Sequence, residues 1–178
     1  MRFPIPILAA LVAVSACGGR RGGGDEPSPM GTSARVSMRD AQGANLGDVT
    51  LTQTANGVLI VGQLSGLSEG THAMHVHTIG RCDPNFDAAG GHFNPTARQH
   101  GMRNAQGQHA GDLPNVTVPA NGIVRVELFT TAFTLGGGKD GLFDSDGSSL
   151  MLHANSDDYQ TDPSGASGAR IACGVVTK

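Results

Sequence analysis

The chain has 178 residues, a formal net charge of -3, 38% hydrophobic and 4% aromatic residues, no Trp and 27 glycines. That is enough for one modest domain with tails, and the scattered Lys and Arg form no basic stripe of the kind nucleic acid requires. A turn-rich, aromatic-poor composition at this length points to an all-β protein.

Residues 1–17 read as a leader rather than as part of the fold. Arg2 supplies a thin positive start, Ile5 to Val14 form an apolar run too short for a permanent membrane helix, and Val14-Ser15-Ala16-Cys17 closes it. The closing tetrad resembles a bacterial lipoprotein box, in which Cys17 becomes the acylated first residue and holds the protein to a membrane. Ordinary cleavage after Ala16, leaving a free thiol, is the alternative. Residues 18–33 are Gly, Arg, Pro and Ser with hardly an apolar side chain, the composition of a flexible tether. The folded domain is expected over 34–178.

Runs that alternate or stay apolar between turn residues predict strands at Ala34–Met38, Gly47–Gln53, Gly57–Ser65, His72–Thr78, Val116–Val118, Ile123–Leu128, Ser149–His153 and Ile171–Val176. Asn56-Gly57 and Asn121-Gly122 are tight-turn signals that favour antiparallel hairpins and hence a sandwich or barrel. Two long irregular segments interrupt the pattern, Ile79 to Asn115 and Asn155 to Ala169, and loops of that length in a small domain commonly carry function. Cys82 and Cys173 form an even pair suited to a bridge in an oxidising compartment.

Six of the seven histidines fall between Thr71 and Asn115, and the seventh is His153. Such a cluster points to bound metal. In a strand alternate residues share a face, so His75 and His77 point together while His72, Met74 and Val76 point the other way. His72 is therefore expected to be a hydrogen-bonded structural histidine, and Met74 core filling. His92, His100, His109 and Asp112 supply three imidazoles and a carboxylate, a closed set that Zn accepts. His75, His77 and His153 leave a second ion with imidazoles only, which suits Cu as well as Zn, and one shared histidine would add a fourth nitrogen.

Gly70-Thr71-His72-Ala73-Met74-His75-Val76-His77, Gly91-His92-Phe93-Asn94-Pro95, His100-Gly101, His109-Ala110-Gly111-Asp112-Leu113-Pro114-Asn115 and Gly168-Ala169-Arg170-Ile171-Ala172-Cys173-Gly174-Val175-Val176 together resemble copper, zinc superoxide dismutase. The resemblance runs from about Ala34 to the C-terminus. It implies an all-β, eight-stranded antiparallel Greek-key barrel or sandwich and the disproportionation of superoxide to oxygen and hydrogen peroxide. It also implies copper held by His75, His77, His92 and His153, and zinc held by His92, His100, His109 and Asp112, with His92 bridging the two. By the same resemblance Asp157 is the carboxylate that hydrogen-bonds a histidine of each metal, Arg170 guides the anion, and Cys82 pairs with Cys173. The segment from Asp157 to Arg170 is shorter than in many eukaryotic members and carries no lysine, so Arg170 is expected to steer alone.

The expected setting is the periplasm or cell envelope, with contact to a membrane only through Cys17 and with either a monomer or a homodimer. Two competing expectations are a copper-binding or copper-delivery module without turnover and a surface lipoprotein whose metals only stabilise the fold. A delivery module of this kind is expected to lack a copper ligand or the arginine, and none is missing here.

Overall fold

Side-chain alternation writes the first three strands directly. In β1 (Ser33–Asp40), Ala34, Val36 and Met38 are buried while Ser33 and Arg35 face out, and β2 (Asn45–Thr54) and β3 (Gly57–Leu64) repeat the pattern with Val49, Leu51, Val58, Ile60 and Leu64 inward. The computed structural model describes residues 29–178. The leader, with Cys17, and the tether up to residue 28 lie outside the described residues. Pairing begins at Ser33, opposite Thr52, one residue ahead of the predicted start.

Six further strands complete the chain: β4 (Gly70–His72), β5 (Met74–His77), β6 (Val116–Val118), β7 (Val124–Thr130), β8 (Ser149–His153) and β9 (Arg170–Thr177). Seven make one antiparallel sheet in the order β5-β8-β9-β1-β2-β3-β7, and β4 and β6 make a small second sheet. Among the described residues the eight predicted runs appear as nine strands, because the run His72–Thr78 breaks at Ala73. The N–H of Ala73 donates to Asn155 O at 2.8 Å and its carbonyl accepts from His153 N at 2.9 Å, so the chain leaves the small sheet and enters the large one at that residue.

Of the two predicted tight turns, the first closes the β2–β3 hairpin with Thr54 opposite Gly57, so its central residues are Ala55 and Asn56. The second is a turn but not a hairpin. Gly122 N donates to Pro119 O at 2.9 Å, and the strands on either side pair elsewhere, β6 with β4 and β7 with β3. The Greek-key crossings are the connections from β3 to β4 and from β7 to β8, which join strands that are not paired with each other. Among the described residues no helix is long and apolar enough to cross a membrane, and one short 3-10 turn, Phe86–Ala89, is capped by Asn85 Oδ1 accepting from Asp87 N.

The interior is filled by Met38, Leu51, Ile60, Leu64, Met74, Leu150 and Leu152 from the strands, with Leu113, Phe133, Leu135 and Leu142 from the connections. Apolar loop residues also hold polar ones in place. Leu113, Phe93 and Ala110 anchor the first long loop in the core, which fixes the polar side chains between them. On the outer face of β8 and β9 a second cluster gathers Met151, Cys173 and Ala89 with Cys82 and Phe86 packed against them. Cys82 and Cys173 are joined by a disulfide spanning 91 residues of sequence, which ties the first long loop to β9.

Closing a loop of that length removes roughly 4–5 kcal/mol of chain entropy from the unfolded state. Replacing both cysteines by Ser is expected to lower the melting temperature of the metal-free protein by roughly 10–15 °C in calorimetry. A shift of only about 2 °C would show that the bridge contributes little beyond the packing around it.

Candidate metal centre

Strand β5 pairs with β8, placing His75 opposite Met151 and His77 opposite Ser149, with His153 at the end of β8. Met74 and Val76 enter the core, so the two histidines between them face the other way, under the long loops. The loop segment carrying His92 runs alongside β5 as though it were another strand. Phe93 N donates to Val76 O at 2.8 Å, Thr78 N to Gly91 O at 2.9 Å and Val76 N to Gly111 O at 2.9 Å. At Gly111 the backbones approach so closely that a Cβ would collide with the carbonyl of Val76, so glycine is required there.

Four imidazole nitrogens converge in this seam: His75 Nδ1, His77 Nε2, His92 Nε2 and His153 Nε2 are buried and have no hydrogen-bond partner. These four residues can bring one ligand atom each within 4.8 Å of the others. The opposite nitrogen of every ring is engaged. His75 Nε2 meets Asp157 Oδ2 at 2.9 Å, His77 Nδ1 meets Gly90 O at 2.9 Å, His92 Nδ1 meets Asp112 Oδ1 at 2.9 Å, and His153 Nδ1 meets Ser167 Oγ at 3.1 Å. Fixing one nitrogen of each ring orients the other, and four buried lone pairs aimed at a common centre are costly unless a cation takes them.

A second set surrounds Asp112 Oδ1. The Nδ1 atoms of His92, His100 and His109 lie 2.9, 3.0 and 3.3 Å from that oxygen, and His92 Nδ1 and His109 Nδ1 are 3.3 Å apart. Metal–ligand distances of about 2.0–2.1 Å in a tetrahedral zinc site give edges of about 3.3 Å, so the spacing fits. His75, His92, His100 and Asp112 also fall within 4.8 Å of one another. In that grouping, however, His75 would have to turn Nδ1 away from the other three orphaned nitrogens, because its Nε2 is held by Asp157. His109 is the better fourth member.

Asp157 joins the two sets. Its Oδ2 meets His75 Nε2 and its Oδ1 meets His100 Nε2, both at 2.9 Å. His72 stands apart, as parity requires: its Nδ1 meets His153 O at 2.8 Å and its Nε2 meets Ser68 O at 3.0 Å. Arg170 begins β9 opposite His153, and its guanidinium donates from Nη1 to Phe86 O at 2.6 Å and from Nη2 to Gly90 O at 2.7 Å. Gly90 O thus receives both Arg170 and His77, which holds the arginine beside the first set.

The electrostatics divide along the same line. Burial pushes His77 down to about 2, His92 to about 4 and His153 to about 3, with neighbouring imidazoles adding to the effect. All three are neutral at pH 7, the state a metal ligand needs. Burial would also lower His100, but hydrogen bonds to Asp112 and Asp157 outweigh it and lift the ring to about 9. Burial opposes ionisation of Asp112 and Asp157 as well, and there too the hydrogen bonds from histidines win, holding both carboxyls well below their ordinary range.

Several residues that position the centre carry no signal in the sequence. Asp112 Oδ2 accepts the backbone N–H of both Gly101 and His109 at 3.0 Å, and Asp162 Oδ1 accepts from His100 N at 2.6 Å. Asn115, Tyr159 and Ser167 also reach into the network. Asn115 ends a motif that is legible, but nothing in local spacing marks Ser167 or Asp162, and the partner of Asp162, His100, lies 62 residues earlier.

Known proteins share both this sequence pattern and this fold. A family model described as copper/zinc superoxide dismutase matches residues 45–176. Superoxide dismutase (Cu-Zn) 1 of Aquifex aeolicus is 45% identical over 138 residues, covering 76% of this chain and 82% of the relative. Superoxide dismutase (Cu-Zn) of Caulobacter vibrioides is 41% identical over 148 residues, covering 81% and 85%. The crystal structure of a SOD-like protein from Bacillus subtilis superposes with a TM-score of 0.76 at 38% identity, covering 79% of this chain and 96% of that one. The chain belongs to the copper/zinc superoxide dismutase family.

Proposed function

We propose that this chain disproportionates superoxide to oxygen and hydrogen peroxide, with His75, His77, His92 and His153 holding copper and His92, His100, His109 and Asp112 holding zinc. The observation that carries the reading is the set of four buried, unpartnered imidazole nitrogens beside a carboxylate-centred tetrad, with His92 turned to both. When bound, copper supplies a one-electron couple and zinc a fixed divalent charge.

The chain's own residues do the rest. His75, His77 and His153 are held by their second nitrogens, so their free lone pairs need no reorientation. His92 has one nitrogen in each set, so with both sites filled its ring would carry no proton. Its Nε2 would be the ring atom that holds a proton for the peroxide product whenever that nitrogen is free of the copper set. Arg170, fixed by the carbonyls of Phe86 and Gly90, presents positive charge to an incoming anion. Lys139 is exposed and paired with Asp140 at 3.2 Å, which offsets its charge.

A copper-delivery role without turnover is not favoured, since every expected ligand and the arginine are present in register. We further read residues 1–17 as an export leader ending at an acylated Cys17 and the segment from residue 18 up to β1 as a tether. On that reading the domain works in the periplasm or cell envelope, as a monomer or a homodimer.

Replacing His153 with Ala should reduce superoxide consumption by the metal-loaded protein to background while one zinc per chain remains, measured by elemental analysis. Full activity in that variant would overturn the copper assignment. Arg170→Ala should lower kcat/KM about tenfold and flatten its dependence on ionic strength. A steep salt dependence persisting in that variant would mean that other charges steer.

Protonation gives a further test on the metal-free protein. The folded-state pKa values of His77, His92 and His153 are depressed, so below pH 6.5 the unfolded chain binds protons that the folded chain refuses, and stability falls as pH drops toward 4. His100 is raised, so its contribution is complete below pH 6.5 and fades as pH rises through about 9. The melting temperature should therefore peak near neutrality and fall more steeply on the acid side, where three groups act against one. A flat profile from pH 4.5 to 7 would contradict it.

A further inference from the structure

Tyr159 is the only tyrosine in the chain, and it stands where three segments of the metal centre meet. Its backbone N–H donates to Asp157 Oδ1 at 2.6 Å, and its hydroxyl accepts the N–H of Asn115 at 2.8 Å. Asn115 in turn clamps the backbone of Asp157 from both sides. Its Nδ2 donates to Asp157 O at 2.9 Å, and its Oδ1 accepts Asp157 N–H at 2.8 Å. The carbonyl of Tyr159 accepts Arg103 N–H at 2.9 Å, and the Arg103 guanidinium lies 5.6 Å from the centre of the tyrosine ring. Arg103 follows His100 by one turn of chain, and Gly101 between them is so close to the Tyr159 carbonyl that a Cβ would not fit.

The backbone of Tyr159 has φ of 63, a left-handed conformation that residues other than glycine seldom adopt. In that conformation the N–H serves Asp157 while the carbonyl serves Arg103. The cost of the conformation is offset by partners on both sides and by the ring's place against Arg103. The hydroxyl touches no candidate metal ligand. Any effect it has on the metals must pass through Asn115 and Asp157.

We propose that Tyr159 is a positioning residue for both metal sites, acting through Asn115 to hold the Asp157 carboxylate between His75 and His100. Asp157 can orient those two rings only while its own backbone is fixed. Asn115 fixes it, and the Tyr159 hydroxyl satisfies the Asn115 N–H that would otherwise be unpaired. One tyrosine thereby couples the loop that ends in Asn115, the His100–Arg103 turn and the loop after β8. The proposal rests on the reading that Asp157 links the zinc and copper sets.

The test is zinc affinity of the copper-free protein, measured by chelator competition for wild type, Tyr159→Phe, Asp157→Asn and the double variant. Outer partners of metal ligands typically contribute 10–100-fold in affinity, so Asp157→Asn should fall in that range and Tyr159→Phe should weaken zinc by about tenfold. The double variant should bind as Asp157→Asn does, because the tyrosine acts through a group already disabled. Asn115→Ala interrupts the same path from its other end and should behave likewise, alone and combined with Asp157→Asn. Loss of affinity in Tyr159→Phe that persists undiminished in the Asp157→Asn background would overturn the proposal, as would wild-type affinity in Tyr159→Phe, whatever Asn115→Ala shows. Wild-type affinity in Asp157→Asn would instead overturn the underlying reading of Asp157 as the link between the sets.

Discussion

The centre depends on the burial of imidazoles whose lone pairs face one another. His75, His77, His92 and His153 each leave one nitrogen unpartnered inside the protein, an arrangement that would be unfavourable if the rings could rotate to find other partners. They cannot, because each is held by its second nitrogen: His75 by Asp157, His77 by Gly90 O, His92 by Asp112 and His153 by Ser167. Held in this way, the four lone pairs converge on a point where a single cation would satisfy them.

The fold supplies the rigidity this requires. His75 and His77 ride on a strand whose alternate residues, Met74 and Val76, are locked in the core, and His153 ends the neighbouring strand. The loop residues His92, His109 and Asp112 are held more firmly than their lack of regular structure suggests. Phe93, Ala110 and Leu113 bury themselves among the sheet residues, and backbone hydrogen bonds tie 91–93 and Gly111 to β5. The disulfide carries the same logic to the opposite wall, holding the 82–90 segment against β9 so that the carbonyls of Phe86 and Gly90 can fix Arg170.

Much of this is legible in the chain itself, because period-two patterning speaks for local structure. It places the strands, puts His75 and His77 on one face and removes His72 from the ligand list, and the three-residue step from His109 to Asp112 marks a carboxylate beside imidazoles. The reading of His92 as the shared ring comes from family resemblance, since spacing alone offers several candidates. What local pattern cannot show depends on distant partners. The strand break at Ala73 is set by hydrogen bonds to Asn155 and His153, and the Asn121-Gly122 turn joins different sheets because β6 and β7 find their mates elsewhere. Tyr159 is the clearest case: its role lies in contacts to Asn115 and Arg103, more than forty positions earlier in the chain.

His92 stands between the two sets, with Nδ1 on Asp112 and Nε2 facing the other imidazoles. Loading copper into both sites and recording the electron paramagnetic resonance spectrum tests directly whether that ring serves both. If His92 bridges, the two Cu2+ spins couple through its ring and the signal of an isolated copper is largely lost, returning when the second site holds zinc. Two additive, independent copper signals in the doubly loaded protein would contradict a shared ligand and the account built on it.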